Sequence, residues 1–114
     1  LVSIHHTDYT DSSVDYDTVL YYKNSDKKLA ESILNATSSV LGVTNNGITN
    51  FEDGVLSKST MPAALSEAFF VSSYNEYNLL TTNGSTRLND EAQAIATGIL
   101  NYFKSQTNTI TNQT

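Results

Sequence analysis

The alternation of apolar and polar residues along the chain predicts short strands separated by helices. Runs rich in β-branched, aromatic and aliphatic residues are typical of strands, and they occur at positions 1–4, 18–22 and 63–71. Between the second and third runs, apolar residues recur at helical spacing, which favours a helix from Asn24 or Ser25 to about Leu41. Gly42 follows directly and supplies a helix stop.

The segments after this helix contain several turn and cap signals. The sequence Asn-Asn-Gly at 45–47 is typical of a turn. Residues 48–59 fit either a strand or an irregular loop, with Val55 and Leu56 as the expected buried pair.

Two helices are predicted in the last third of the chain. Residues 73–76 (Ser-Tyr-Asn-Glu) have the form of a capping box and predict a short helix to about Leu80. Asn-Gly at 83–84 predicts a turn, after which Asn89 or Asp90 is placed to cap the final helix.

The order strand, strand, helix, strand, helix predicts an α/β domain in which helices flank a mixed, mostly parallel sheet. Because the chain opens within a strand, we expect the N-terminal strands of such a sheet to be missing from it. We assign residues 1–105 to this domain and the Thr/Asn-rich residues 106–114 to a polar tail or linker.

Composition excludes several classes of function. Twelve acidic residues against six basic ones give a net charge of −6, which disfavours nucleic acid as a partner because a phosphate backbone requires a basic surface. No apolar run is long enough to span a membrane. Cysteine is absent, so disulfides and thiolate metal sites are excluded.

Two polar residues in the predicted strands are candidates for chemistry. His5 ends the first run, and Glu67 interrupts the apolar run at 63–71. Groups at the strand ends of an α/β sheet are both rigid and accessible, and a histidine with a glutamate can provide a metal ligand and a general base. Each residue also has an alternative without chemistry. His5 could only hydrogen-bond a neighbour, and Glu67 could be paired with a lysine such as Lys58.

Other polar residues carry weaker signals. His6 is expected to point to the face of the strand opposite His5, so the two imidazoles are not expected to share one ion. Aspartates at 8, 11, 15 and 17 lie between the first two strands. Since they lack the glycine and the final glutamate of an EF-hand loop, we predict a solvated acidic loop.

Six short segments stand in an order that is characteristic of one family. They are a Val-Ser-Ile-His strand, a tyrosine-containing strand, a helix with serine and Leu-Ala, a Val-Leu pair, a Met-Pro-Ala-x-Leu-x-Glu strand and a helix with Gly-Ile-x-x-Tyr-Phe. They occupy residues 2–5, 20–22, 25–33, 55–56, 61–70 and 98–103. In this order the chain resembles the C-terminal part of the catalytic domain of zinc-dependent N-acetylmuramoyl-L-alanine amidases.

The resemblance implies hydrolysis of the amide between N-acetylmuramic acid and L-alanine, with zinc as cofactor. His5 matches a zinc ligand and Glu67 the catalytic glutamate of the family. The family's other two ligands, a histidine and a glutamate, are expected from an upstream segment or another chain. The implied substrate is peptidoglycan or a related cell-wall polymer, and the implied location is extracellular or in the cell envelope.

The chain also departs from the family pattern. His6 and Thr7 stand where the family has a small residue and asparagine, and Asn46 stands where it often has arginine. These departures favour an alternative function, in which a catalytically degenerate amidase-like module serves in surface binding or structure.

Overall fold

The computed structural model describes the backbone of residues 1–113 and the side chains of residues 1–107. In this part of the chain it has four strands and three helices: β1 (Val2–Thr7), β2 (Asp17–Tyr21), α1 (Lys27–Leu41), β3 (Asn45–Asn50), α2 (Gly54–Ser57), β4 (Ala64–Phe70) and α3 (Tyr74–Gln113). A single 3₁₀ turn, Asn24–Asp26, leads into α1. The predicted α/β class is confirmed.

The four strands form one mixed sheet in the order β1-β4-β2-β3. β1 runs parallel to β4 and β2 runs parallel to β3, whereas β2 and β4 are antiparallel. The mostly parallel character predicted for the sheet is therefore confirmed, and β4 lies inside the sheet between β1 and β2. The carboxyl ends of β1 and β4 and the amino ends of β2 and β3 therefore lie at the same end of the sheet.

One face of the sheet carries the main core. Helices α1 and α3 cover it, and the buried side chains there are Val19, Leu29, Ala30, Ile33, Leu34, Ala64 and Ile95. The two helices touch closely at Gly98, where a Cβ atom would stand only 2.6 Å from the Cα of Ile33. Ser32 also donates a hydrogen bond of 2.6 Å to the carbonyl of Gly98. A glycine is thus required for this backbone contact.

The C-terminal end of the first helix agrees with its sequence signal, but the N-terminus does not: α1 begins at Lys27 with Asp26 as its N-cap, and Asn24 and Ser25 lie in the preceding 3₁₀ turn. α1 ends at Leu41, and Gly42 adopts the left-handed conformation (φ 67°) while its N–H donates to the carbonyl of Ser38. This is the helix stop that the glycine predicted.

Two expectations for residues 45–59 are wrong. Residues 45–47, predicted as a turn, instead open β3, because Gly47 accommodates a positive φ of 80° without leaving the strand. Val55 and Leu56 are not a buried pair: Leu56 is buried, but Val55 is 41% exposed. The short helix α2 turns them to different sides.

The break predicted at 83–84 in the last helical segment is present, but the cap predicted at Asn89 or Asp90 is wrong. α3 kinks at Asn83, whose backbone is non-helical (φ −151°, ψ 56°), and not at Asn89 or Asp90. The hydroxyl of Thr86 donates to Asn83 Oδ1 at 2.9 Å, which fixes the chain at the kink. Asn83 therefore begins the second part of the helix, six residues before the predicted cap.

At the start of α3, half of the predicted capping box forms. The N–H of Glu76 donates to Ser73 Oγ at 3.3 Å, whereas the Glu76 carboxylate binds Arg87. At the other end, α3 continues across residue 105 to Gln113. The division into a domain at 1–105 and a tail at 106–114 stays a prediction, and Thr114 lies outside the described residues.

A buried carboxylate fixes the segment that leads into β4. Asp26 is fully buried, and its Oδ1 accepts the N–H of Ala63 at 2.9 Å. Its Oδ2 accepts the N–H groups of Lys23 (2.8 Å) and Tyr22 (3.2 Å), and Lys23 Nζ lies 3.1 Å from Oδ1. Burial alone would raise the pKa of Asp26, but the hydrogen bonds outweigh burial and hold the pKa below its usual range.

Across the described residues, we find no helix of sufficient length and apolarity to cross a membrane.

Candidate functional site

The structure places His5 and Glu67 side by side. They are direct partners in the parallel pairing of β1 with β4, so both side chains project from the same face of the sheet. This is the face opposite α1 and α3, because neighbouring Leu65 packs with Leu20 and Leu56 beneath α2. His5 is exposed and Glu67 is half-buried. An imidazole and a carboxylate thus share one accessible surface.

Each member of this pair has a polar neighbour on the same face. The Nε2 atom of His5 lies 2.9 Å from Ser3 Oγ, two residues away along β1. On the other side of β4, Thr18 of β2 is the register partner of Glu67. The Thr18 hydroxyl donates to the carbonyl of Gly47 at 2.7 Å and lies 2.9 Å from the hydroxyl of Thr49. A polar row therefore crosses all four strands.

The protonation of Glu67 is shifted by its surroundings. Burial against the sheet raises the pKa of this carboxyl, and the nearby charge of His5 opposes that rise in part. A carboxyl whose pKa is raised toward neutrality can both take and return a proton, which is what a general base requires.

His6 occupies the opposite face of β1, as predicted. Its Nε2 atom lies 2.9 and 2.7 Å from the two carboxylate oxygens of Glu91 on α3. Its ring stacks on Phe69, with the centroids 4.4 Å apart. His5 and His6 consequently do not face a common ion. Sequence reasoning missed the partner Glu91 because it lies 85 positions away.

The prediction of a solvated acidic loop is wrong for two of its aspartates. Asp17 is fully buried as the first residue of β2. Asp15 accepts the N–H of Phe70 at 2.9 Å, and burial raises the pKa of its carboxyl despite that bond. Asp17 directly precedes the strand run at 18–22, and this adjacency was the signal that could have placed it in the strand.

Burial favours the protonated form of Asp17. The Thr37 hydroxyl donates to Asp17 Oδ2 at 2.5 Å and lies 3.1 Å from the carbonyl of Ile33. Asp17 Oδ1 has no hydrogen-bond partner among the described residues. Burial, with the charges of Glu91 and Asp15, raises the pKa of Asp17 to about 7 although the Thr37 bond opposes the rise.

The stability of the domain should therefore decrease as the pH rises through neutrality. The folded protein holds the Asp17 proton up to about pH 7, whereas the unfolded chain releases it near pH 4. The stabilisation from this proton is complete below the pKa of the unfolded chain. It is lost as the pH rises to the pKa of the folded protein, by at most about 1.4 kcal/mol per pH unit. Asp17→Asn should flatten this dependence.

Urea unfolding at several pH values between 5 and 8 measures the effect. Asp8→Asn, which removes the same charge from an exposed position, serves as the control and should keep the wild-type slope. An equal slope in Asp17→Asn and the wild type would show that Asp17 does not carry the dependence.

The described residues fit a metal ion only in part. His5 offers an imidazole beside the Glu67 carboxylate, but no group of three or more His, Cys, Asp or Glu side chains could hold an ion within the described part of the chain. Catalytic zinc sites generally use three protein ligands. The pair thus fits as one ligand and a neighbouring base, and a complete site needs ligands from elsewhere.

The fold and the site define an α/β domain with a His–Glu pair on one open face of a mixed sheet. A family model of N-acetylmuramoyl-L-alanine amidase matches residues 1–101. The chain belongs to this amidase family, and the resemblance seen in the sequence is confirmed. A comparison with curated proteins finds no match.

Solved structures of amidases share the fold. AmiC2 of Nostoc punctiforme is 30% identical with a TM-score of 0.79, and the alignment covers 90% of this chain and 57% of that one. The catalytic domain of CwlV from Bacillus (Paenibacillus) polymyxa var. colistinus is 29% identical (TM-score 0.80; 90% and 56% covered). CwlD from Clostridioides difficile, solved in complex with the GerS lipoprotein, is 28% identical (TM-score 0.79; 91% and 54% covered). This chain therefore spans slightly more than half of each of these structures.

Proposed function

We propose that this chain supplies the catalytic base and one metal ligand of a zinc-dependent amidase that cleaves the amide between N-acetylmuramic acid and L-alanine in peptidoglycan. The observation that supports it best is the register of β1 with β4, which pairs His5 with Glu67 on one open face within the region that matches the amidase family. A substrate of the cell wall also supports a secreted or envelope location.

The proposed mechanism assigns one role to each residue of the pair. When bound, zinc acidifies a water molecule and polarises the carbonyl of the scissile amide. His5 would hold the ion, and the Ser3 hydroxyl limits the rotation of the His5 ring. Glu67 accepts the proton of the attacking water and returns it to the amine nitrogen of L-alanine as that group leaves.

The remainder of the domain, on the same polypeptide or on another, is proposed to complete the site. β1 lies at an edge of the sheet, with its outer backbone groups available for a further strand. Beside it, a groove of about 220 Å³ is lined by Leu1, Val2, Leu29, Met61, Pro62, Ile99, Tyr102 and Phe103. Ile4 and Phe103 are 54% and 60% exposed. This apolar strip along an open edge fits a strand and a helix of the remainder of the domain. Those elements would bring the other zinc ligands.

Zinc content and amide hydrolysis test this function. The chain joined to the remainder of its domain is expected to hold one zinc per molecule and to release peptides from N-acetylmuramic acid with L-alanine at their new amino terminus. The chain alone is expected to bind zinc weakly, because it contributes one ligand. Elemental analysis and amino-terminal labelling of the products measure the two quantities.

One observation favours the second candidate, a degenerate amidase-like binding module. Within the described residues, His5 has no companion ligands that could complete a metal site. If the joined domain is folded but holds no zinc and releases no peptide, this second function replaces the first.

A further inference from the structure

The pairing of β1 with β4 shifts directly after His5 and Glu67. From His5 to Thr7, β1 advances by two residues, whereas β4 advances by three between Glu67 and Phe70. His6 therefore lies opposite two residues of β4, one of which is Phe69. Bulges of this kind change the direction of nearby side chains and are common beside active sites.

Two contacts hold His6 at the bulge. Its ring stacks on Phe69 at an interplanar angle of 26°. Its Nε2–H donates to the Glu91 carboxylate, whose side chain is only 5% exposed. Because Glu91 is screened from water, this hydrogen bond is stronger than one between exposed groups. The bulge is thereby tied to the second part of α3.

Phe69 also contacts Arg87 in the second part of α3, and Arg87 in turn pairs with Glu76 in the first part. The Arg87 guanidinium lies 5.5 Å from the centroid of the Phe69 ring. Arg87 forms an ion pair with buried Glu76 and donates to the carbonyl of Leu41 at 3.0 Å. The ring that His6 contacts thus has little freedom to move.

We propose that His6, Phe69 and Glu91 form a clamp that positions His5 and Glu67 for metal binding. His5 and His6 are consecutive and project from opposite faces of β1. A rotation of the strand that separated His6 from Glu91 would also turn His5 away from Glu67. The three residues act through the strand and do not touch the metal. This inference rests on the proposed function, since zinc gives the positioning its purpose.

The test uses the chain joined to the remainder of its domain and compares three variants. Glu91→Ala removes the acceptor of the His6 hydrogen bond, whereas Glu91→Gln retains an oxygen that can accept it. Glu31→Ala is the control, because it removes the same side chain from an exposed position of α1. The readouts are the zinc dissociation constant of the folded protein and, without metal, the nuclear Overhauser contact between the His5 ring and the Glu67 side chain.

Glu91→Ala should weaken zinc binding by about 10–100-fold and lose the His5–Glu67 contact. Glu91→Gln should recover most of the zinc affinity and of the His5–Glu67 contact, and Glu31→Ala should change neither. A Glu91→Ala protein that is less stable, yet keeps the wild-type zinc dissociation constant and the His5–Glu67 contact, would contradict the proposal. It would show that the three residues stabilise the fold but do not position His5 and Glu67.

Two further outcomes are also decisive. If Glu91→Ala does not fold, His6→Gln replaces it, since this change removes the ring stacking but keeps a donor for Glu91, and the same weakening and loss of contact are expected. If the wild type binds no zinc, the proposed function fails. The contact between His5 and Glu67 in the metal-free variants then decides the clamp independently.

Discussion

Replacing Glu67 with glutamine is expected to lower the rate of amide hydrolysis by about 10²–10⁴-fold while zinc stays bound. Glutamine keeps the size of the side chain and one of its oxygens, but it cannot accept a proton from water at neutral pH. His5, the proposed ligand, is unchanged, and its neighbour Ser3 is not disturbed. The loss should therefore appear in kcat and not in the zinc content.

Turnover of a muramoyl-peptide substrate by the completed domain, with zinc measured in the same samples, gives this result. Glu31→Gln is the matched control, because it makes the same chemical change at an exposed position of α1. We expect the control to have wild-type kcat. Activity retained in Glu67→Gln would exclude Glu67 as the base.

Replacing Asp26 with alanine should cause the largest loss of stability in the chain. The change leaves three backbone N–H groups without the acceptor that they have in the structure, and it leaves the Lys23 ammonium beside them. Removing one partner of a buried ion pair typically costs about 3–5 kcal/mol. That is a large share of the total stability of a small domain, which is about 5–15 kcal/mol.

Chemical unfolding followed by circular dichroism measures the Asp26→Ala effect. Asp53 offers a matched control: it is the N-cap of α2, and its carboxylate accepts a single N–H, that of Val55, at 2.9 Å. Asp53→Ala is expected to cost about 1 kcal/mol. Equal losses in the two variants would mean that the Asp26 network adds nothing beyond an ordinary cap.

The strands and the candidate pair could be predicted because their signals are local. The runs ending at His5 and surrounding Glu67 are apolar and β-prone, so both strands were predicted, and the resemblance to the amidase family selected His5 and Glu67 as site residues. Register is not a local property, since it depends on how β1 and β4 meet across the sheet. The sequence alone therefore could not show that His5 lies directly opposite Glu67.

The buried acidic residues show what local patterns miss. Asp17 and Asp26 are found in polar surroundings in the sequence, which favours solvent exposure. Each accepts a hydrogen bond from a distant group: the Thr37 hydroxyl on α1 for Asp17, and the Ala63 N–H for Asp26. Burial of a carboxylate depends on such partners, and these partners are defined only by the tertiary fold.

The kink in α3 was predicted only in part. The sequence predicted a turn at 83–84 and a helix cap at Asn89 or Asp90. The structure uses Asn83, where Arg87 then reaches back to Glu76 across the kink. This ion pair joins the two parts of the helix and depends on the tertiary fold, so a local pattern could not show it.

The glycine contact between α1 and α3 has a consequence for the order of events during synthesis. Gly98 meets Ile33 late in the chain, and β4 joins β1 to β2 only after residue 70 has been made. A nascent polypeptide on the ribosome therefore carries an uncovered apolar face until α3 has been synthesised. Chaperones would be expected to bind this part of the chain chiefly before α3 emerges.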